Sequence, residues 1–236
     1  MSTFDRRSFL LGGVAALSFA ACSTLTSNTE PAGTDGPGGT RPGGNDAGHG
    51  RDPAKPFTSV VMVGDSITRA SREELATAFT ALGITDQVID AEVGRRIEVG
   101  NGRGGGPLSG VRTVFNLLSE GADPDVWVIE LGTNDVGSYA TADAYGGLID
   151  QILSELPADV PLVWQNTFRP QYLDATNVFN LVLQQRIAAR PNSVVADWFG
   201  AASAPDAKLL RSDDLHPNND GQRAMALIVA QAVQQL

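Results

Sequence analysis

Short apolar runs alternate with longer segments in which apolar residues recur at helical spacing. The runs are rich in Val and Ile, and most do not alternate with polar residues, which is typical of strands covered on both faces. They lie at residues 59–63, 87–93, 126–131, 161–165 and 193–198. The segments with helical spacing lie at residues 72–82, 108–119, 142–156, 178–189 and 219–236. The chain therefore reads as strands and helices in alternation from residue 59 to its end.

This alternation predicts an α/β fold in which helices cover both faces of a central parallel five-stranded sheet. We predict a flavodoxin-like three-layer α/β/α sandwich with strand order 2-1-3-4-5. In such a sheet, the loops that follow the strands share one edge, which is where open α/β folds bind ligands. Four of these loops begin at Gly64, Gly94, Gly132 and Asn166. Any chemistry is therefore expected where these loops converge.

The N-terminal segment has a different pattern. Residues 1–21 carry Arg6 and Arg7 ahead of an apolar stretch that is too short to span a bilayer. A basic segment followed by an apolar one is typical of a signal peptide, and the arginine pair resembles the twin-arginine export signal. Cys22 then follows two alanines, as in a bacterial lipoprotein processing site, although Phe19 stands where such sites usually have Leu. We predict lipidation of Cys22, with release by an ordinary signal peptidase as the alternative.

Residues 22–56 are rich in Gly, Pro, Ser, Thr and Asn, a composition that cannot bury a core and predicts a disordered tether. Residues 57–236 are long enough for one domain with a substantial core. Together these segments predict an exported protein that is tethered to the outer face of the cytoplasmic membrane, or secreted if Cys22 is not lipidated. The net charge of −10 makes nucleic acid a poor partner, and we expect a monomer.

Residues with side chains or backbone groups suited to acyl transfer follow three strands and precede the last helix. Ser66 follows the first strand after a Gly-Asp pair, Gly94 follows the second, and Asn134 follows the third in Gly-Thr-Asn-Asp. His216, the only histidine of the predicted domain, comes three residues after Asp213 and directly before a proline. Each of these positions also has an ordinary structural explanation: a cap, a strand-end glycine, a turn, or a proline that opens a helix. The case for catalysis therefore rests on their combination.

The combination is chemically coherent. A serine hydroxyl is a weak nucleophile until a base removes its proton, and a neutral imidazole can do so near neutral pH. A carboxylate beside the imidazole fixes its tautomer and stabilises the imidazolium. Asp213 and His216 are three residues apart and can meet on one turn, whereas Asp214, the competing partner, points to a different face.

These four blocks, in this order, resemble those of the SGNH (GDSL-like) hydrolase family, and the resemblance covers most of residues 57–236. It implies that Ser66 is the nucleophile, His216 the base and Asp213 its carboxylate partner. It also implies an oxyanion hole formed by the N–H groups of Ser66 and Gly94 and the side-chain amide of Asn134. No cofactor is needed for this chemistry, and we see no metal site by spacing.

Two pairs of charged residues beside these blocks have other expected roles. Arg95 and Arg96 follow Gly94 and are candidates for binding an anionic or sugar substrate, with solvated surface arginines as the alternative. Asp65 and Asp135 are expected to hold loops through hydrogen bonds to backbone groups, with metal binding as the alternative.

The function expected from this resemblance and the export signals is that of a serine esterase. It would hydrolyse short acyl esters such as acetyl groups, on a small molecule or on a cell-envelope glycan. Two alternatives stay open at this point. The same acyl-enzyme could pass its acyl group to a sugar hydroxyl, which makes an O-acyltransferase, or the cleft could bind a glycan or a partner without catalysis.

Overall fold

The structure is a computed structural model that describes residues 55–104 and 106–236. The predicted signal peptide, Cys22 and nearly all of the predicted tether lie outside the described residues. Within the described ranges, no helix is both long enough and apolar enough to cross a bilayer.

A five-stranded parallel sheet forms the centre of the domain, with strand order β2-β1-β3-β4-β5. This confirms the predicted fold class and strand order. The strands are β1 (Ser59–Gly64), β2 (Asp86–Ala91), β3 (Val126–Glu130), β4 (Leu162–Gln165) and β5 (Ser193–Ala196). All carboxyl ends point to one edge, and the predicted catalytic blocks on β1, β2 and β3 are therefore neighbours.

Seven helices and one 3₁₀ turn are found in the described part of the chain. They are α1 (Ser66–Ala70), α2 (Arg72–Ala81), α3 (Gly110–Ser119), α4 (Ala142–Glu155), the 3₁₀ turn Pro170–Tyr172, α5 (Leu173–Ala188), α6 (Trp198–Ala202) and α7 (Asn219–Val233). Several begin at a side-chain cap: Ser109 begins α3, Thr141 begins α4, and Asn218 begins α7. Such caps satisfy N–H groups that have no partner within the helix.

Two apolar cores lie on opposite faces of the sheet. One is formed with α3, α4 and α5, and the other with α1, α2, α6 and α7. β3 contributes to both, since Trp127 and Ile129 face the first core while Val126 and Val128 face the second. A strand buried on both faces needs apolar residues at every position, which accounts for the unbroken apolar runs in the sequence.

The structure adds the short helix α1, which the pattern did not predict, and shifts the ends of several predicted elements; two of these shifts have a clear physical reason. α5 begins at Leu173, five residues before the predicted start, because its first turn is exposed and shows no apolar pattern. The last predicted strand ends early at Ala196, because the carboxylate of Asp197 accepts a hydrogen bond from the N–H of Gly200 at 2.9 Å and begins α6.

Candidate active site

Ser66, His216 and Asp213 form a continuous chain of hydrogen bonds at the carboxyl edge of the sheet. The Oγ atom of Ser66 lies 2.9 Å from Nε2 of His216, and Nδ1 of His216 lies 2.8 Å from Oδ2 of Asp213. Ser66 is the first residue of α1, directly after β1, and is half-buried. This arrangement can move a proton from the serine hydroxyl to the imidazole, with the carboxylate holding the opposite ring nitrogen.

The carboxylate of Asp213 is held in place by its own loop. Its Oδ1 atom accepts hydrogen bonds from the N–H groups of His216 at 2.9 Å and Leu215 at 3.0 Å. The hydrogen bonds from the backbone and ring of His216 lower the pKa of Asp213 to about 2, so the group is ionised at neutral pH. Asp214 has a left-handed backbone conformation, with φ of 55°, and it is Asp213 that contacts the imidazole.

The loop that carries His216 is fixed to its surroundings on both sides. The N–H of Arg211 donates to the carbonyl of His216 at 2.8 Å, and Asn218 caps α7 by accepting from two N–H groups at its start. Gln171, in the turn before α5, donates from its side-chain amide to the carbonyl of Asp213 at 3.2 Å. Gln171 was not singled out from the sequence, since a lone glutamine carries no recognisable signal.

Two backbone N–H groups, those of Ser66 and Gly94, are free to bind an oxyanion. Among the described residues, neither the N–H of Ser66 nor that of Gly94 has a hydrogen-bond partner. Gly94 is exposed and has φ of +75°, a backbone conformation that favours glycine. An unpaired donor is costly where it is buried and useful where a ligand can reach it.

The side chain of Asn134 lies between these elements. Its Nδ2 atom donates to Oδ2 of Asp65 at 2.9 Å and to the carbonyl of Arg95 at 3.0 Å. Asn134 therefore joins the loop after β3 to the loop after β2 and to residues 64–68, the turn that carries Ser66 and is called the serine turn below. An amide nitrogen has two hydrogens, and both are engaged here, so an oxyanion would share one of them with a present acceptor.

Arg95 is buried, which corrects the expectation that it binds substrate. Its side chain is only 3% exposed, and Nη2 pairs with Oδ1 of Asp90 at 2.6 Å. The guanidinium also donates to the carbonyls of Gly64 at 3.1 Å, Asp90 at 2.8 Å and Leu108 at 3.2 Å. Arg95 thus ties the loop after β2 to the end of β1. The sequence could not show this, because the positive φ of Gly94 turns the chain and sends the next side chain inward.

Arg96 is placed differently. Its side chain is 25% exposed, and Nε binds Oδ1 of Asp135 at 3.1 Å. The guanidinium lies 5.6 Å from the centre of the Tyr139 ring. The other carboxylate oxygen of Asp135 accepts from the N–H of Ile97 at 3.0 Å, so Asp135 holds a loop as expected. Arg96 therefore lies next to the Gly94 and Asn134 loops with part of its surface open to solvent.

We expect Arg95→Met to lower the free energy of unfolding by about 1–3 kcal/mol, because three carbonyl groups and one carboxylate lose their donor. Urea denaturation monitored by circular dichroism measures this change. Arg69→Met is the matched control, since Arg69 forms an exposed pair with Glu92 and its loss should cost less than about 1 kcal/mol. Unchanged stability of Arg95→Met together with a raised KM would contradict this structural role.

Glu130 is a second residue that the sequence reading missed. It ends β3, is 2% exposed, and lies directly beneath the serine turn. Its Oε2 atom accepts from the hydroxyl of Thr68 at 2.8 Å and from the N–H groups of Asp65 and Thr68, both at 3.2 Å. The available signal was a single carboxylate at the end of an otherwise apolar buried strand, which is an expensive placement unless the group is hydrogen-bonded.

In the described part of the chain, no group of three or more His, Cys, Asp or Glu side chains is placed to hold a metal ion. Asp65, the alternative candidate for such a site, instead caps α1 by accepting from the N–H of Ile67 at 2.8 Å. This is the loop-holding role expected for it.

Several solved structures have a similar fold, although their sequence identity to this chain is 20% or less. The C-terminal catalytic domain of Streptococcus pneumoniae peptidoglycan O-acetyltransferase A matches with a TM-score of 0.60 at 17% identity, covering 77% of this chain and 95% of that one. TesA matches with a TM-score of 0.60 at 18% identity, covering 75% and 98% of the two chains. A family 3 carbohydrate esterase of Clostridium thermocellum matches with a TM-score of 0.57 at 20% identity, covering 75% and 96%.

At the level of sequence, comparison with curated proteins gives no significant match. The sequence profile of the GDSL-like Lipase/Acylhydrolase family, however, matches residues 62–224, which is more than half of the chain and includes all of the candidate catalytic and oxyanion-binding residues. The chain therefore belongs to the GDSL-like lipase/acylhydrolase family of serine ester hydrolases.

Proposed function

We propose that this protein cleaves acyl esters with Ser66 as nucleophile, His216 as general base and Asp213 as the group that orients the imidazole. The observation that carries this proposal is the unbroken chain Ser66 Oγ, His216 Nε2, His216 Nδ1 and Asp213 Oδ2, with contacts of 2.9 Å and 2.8 Å. Because Asp213 accepts at Nδ1, the neutral ring carries its proton there and leaves Nε2 free to accept from the serine.

The reaction proceeds in two halves. The Oγ of Ser66 forms a bond to the ester carbonyl carbon as Nε2 of His216 takes the hydroxyl proton. The tetrahedral intermediate then expels the alcohol, which receives that proton, and an acyl-serine remains. In the second half, water attacks the acyl carbon while His216 takes its proton; the bond from the acyl carbon to Oγ then breaks, which releases the carboxylic acid as His216 returns the proton to Ser66. The oxyanion of each half would be bound by the N–H groups of Ser66 and Gly94 and by the amide of Asn134.

The proposed substrate is a short acyl ester, such as an acetyl group, on a carbohydrate of the cell envelope. Three features support this choice. The N-terminal sequence has the features of an exported lipoprotein modified at Cys22, and similar folds occur in a peptidoglycan O-acetyltransferase and in a carbohydrate esterase. Arg96, which is partly exposed beside the oxyanion groups, is the proposed contact for an anionic or sugar portion of the substrate.

Product analysis with the purified full chain tests this proposal. The protein is given p-nitrophenyl esters of increasing acyl length, with and without an acetylated or unmodified envelope glycan. Preferential release of acetate that depends on Ser66 supports the short-chain esterase. Transfer of the acetyl group to the glycan instead of water indicates an O-acyltransferase that uses the same acyl-enzyme. Binding of glycan with no release of any acyl group would contradict both reactions and favour a binding protein.

We expect Asn134→Ala to lower kcat by about 10²–10³-fold with little change in KM, because one donor to the oxyanion is lost. Steady-state kinetics on p-nitrophenyl acetate measure this. The control is Asn116→Ala, which removes an amide from α3 and should leave kcat unchanged. A large increase in KM with unchanged kcat would indicate that Asn134 binds the ground state instead.

A further inference from the structure

The turn that carries Ser66 is built around the carboxylate of Glu130. One oxygen of this group accepts three hydrogen bonds from Asp65 and Thr68, the residues on either side of the start of α1. Gly64 makes the approach of Thr68 possible, since a Cβ at this position would lie 2.1 Å from the Thr68 hydroxyl. The position of Ser66 above the sheet therefore depends directly on Glu130.

Asp65 links the same turn to the oxyanion groups. It is fully buried, and its two carboxyl oxygens accept from the N–H of Ile67 at 2.8 Å and from the amide of Asn134 at 2.9 Å. Asp65 and Glu130 are both buried, and the N–H of Asp65 donates to Oε2 of Glu130 at 3.2 Å, so the two carboxyl groups belong to one buried cluster. Two neighbouring buried carboxyl groups are less costly when one of them is protonated, because only one negative charge then remains in the interior.

No cation compensates this carboxyl pair among the described residues, since neither group forms an ion pair with Lys or Arg. Burial and the neighbouring Glu130 therefore hold the pKa of Asp65 well above its usual value. Burial likewise raises the pKa of Glu130, against the opposing effect of the hydrogen bonds that it accepts. Glu130 accepts three hydrogen bonds, which stabilise its ionised form. The single proton of the pair therefore belongs to Asp65.

Few other charged or titratable groups face the pair. On the β2 side, the guanidinium of Arg95 contacts the carbonyl of Gly64 but is neutralised by Asp90. From the loop before α7, His216 lies across Ser66 and, when protonated, lowers the pKa of Asp65. On β4, Trp164 pairs with Ile129, and the next residue, Gln165, is uncharged. Of these groups, His216 is the one whose charge acts on Asp65.

We propose that Asp65 and Glu130 are positioning residues that share one proton, and that this proton keeps the oxyanion hole competent. With the proton present, the pair carries one negative charge and holds the serine turn and the Asn134 amide in position. When the proton is lost at alkaline pH, two negative charges lie beneath the site where the substrate oxyanion forms. The charge that must develop in the transition state is then opposed, and the ionised Asp65 holds the Asn134 amide more strongly.

The consequence is a fall in kcat at alkaline pH that His216 does not explain. Deprotonation of the imidazole raises the rate as pH increases, because the neutral ring is the active base. Loss of the shared proton lowers the rate at higher pH. An added buried charge near a forming oxyanion is expected to cost roughly tenfold to a hundredfold in kcat. This inference rests on the proposed function, since it concerns the same reaction.

The experiment is a profile of kcat against pH for the full chain and for Glu130→Gln, from about pH 5 to about pH 10, after subtraction of spontaneous hydrolysis. The side-chain oxygen of glutamine can accept the same three hydrogen bonds. Because glutamine does not ionise, the variant has no state with two negative charges. We expect the alkaline fall in the unmodified protein and a level kcat over the same range in Glu130→Gln. Asp65→Asn should also show a level kcat over this pH range. It takes the place of Glu130→Gln in the experiment if Glu130→Gln does not fold. Glu98→Gln, which removes an exposed carboxylate from the loop after β2, should keep the alkaline fall.

A residue with only a structural role would change the rate or the stability but not the shape of the pH profile. An alkaline fall that is missing in the unmodified protein, or that persists unchanged in both variants, would overturn the inference. Infrared spectroscopy gives a second measurement that does not depend on turnover. It should show a protonated carboxyl group at neutral pH that is absent from Asp65→Asn and Glu130→Gln; its absence from the unmodified protein would also overturn the inference.

Failure of this inference and failure of the proposed function are distinguishable. If Ser66-dependent ester turnover is observed but the pH profiles are identical, only the shared proton is disproved. If the unmodified protein shows neither turnover nor labelling of Ser66, the proposed function is disproved, and the infrared measurement still decides whether the proton is present.

Discussion

Replacement of Ser66 by alanine is expected to lower kcat for ester hydrolysis by about 10⁴-fold or more and to leave the fold intact. The activity is lost because no other group in the site can form the acyl-enzyme. The fold is retained because Asp65, not Ser66, caps α1, and because the hydrogen bond of the serine hydroxyl within the described residues is to His216. Steady-state kinetics and circular dichroism of the purified variant measure the two effects.

The control for this prediction is Ser138→Ala, which removes an exposed hydroxyl from the loop that follows Asn134. Its kcat should equal that of the unmodified protein. Full activity of Ser66→Ala would show that the nucleophile has been assigned wrongly, while an unfolded variant would show that the contribution of Ser66 to the serine turn has been underestimated.

Asp213→Asn is expected to reduce kcat by about 10⁴-fold, although it changes a single atom. The asparagine amide can donate to Nδ1 of His216, which moves the ring proton to Nε2. In this tautomer Nε2 faces Ser66 as a donor and cannot accept the serine proton. The charge that stabilises the imidazolium is lost at the same time. Kinetics on p-nitrophenyl acetate measure the effect.

Asp214→Asn is the matched control, because it removes the same charge one residue away. The ring nitrogen contacts Asp213 at 2.8 Å, so this variant should keep nearly all of its activity. If both variants lose activity equally, the effect of Asp213 comes from the charge of the loop and not from the tautomer of His216.

The architecture could be predicted from the sequence because its signals are local and repeated. β3 is apolar at four of its five positions because both of its faces are buried. Short runs rich in Val and Ile located all five strands, including the edge strand β2, which is apolar at only three of its six positions. Helices with an exposed first turn were harder to place. α5 begins at Leu173, which is 44% exposed, and α1 and α6 are each only five residues long and contain little periodic pattern.

In the candidate site too, residues with a local sequence signal could be predicted, whereas burial that depends on other residues could not. Ser66, Gly94, Asn134, Asp213 and His216 stand out because each is a polar residue or a glycine at a strand end or before a helix. In the structure, hydrogen bonds join Ser66, His216 and Asp213. Asn134 binds Asp65 and the carbonyl of Arg95, the residue that follows Gly94. Arg95 and Arg96 have nearly identical sequence surroundings, yet one is buried and the other is partly exposed. Which of two adjacent side chains turns inward depends on the φ angle of Gly94 and on Asp90, a partner five residues away from Arg95.

Glu130 could not be assigned from the sequence for a related reason. A carboxylate at the end of a buried strand signals an unusual environment, but its partners, Asp65 and Thr68, are more than 60 residues away. Only the register of β1 against β3, which places Gly64 opposite Glu130, shows that this carboxylate supports the serine turn.

The most direct test of the account is covalent labelling of the full chain with a fluorophosphonate, followed by peptide mass spectrometry and by assay of residual ester turnover. We predict a single adduct on the peptide that contains Ser66, loss of turnover in proportion to labelling, and no adduct in Ser66→Ala. Ester turnover that persists after complete labelling, or an adduct formed at another residue in step with inactivation, would contradict the assignment of Ser66 as the nucleophile.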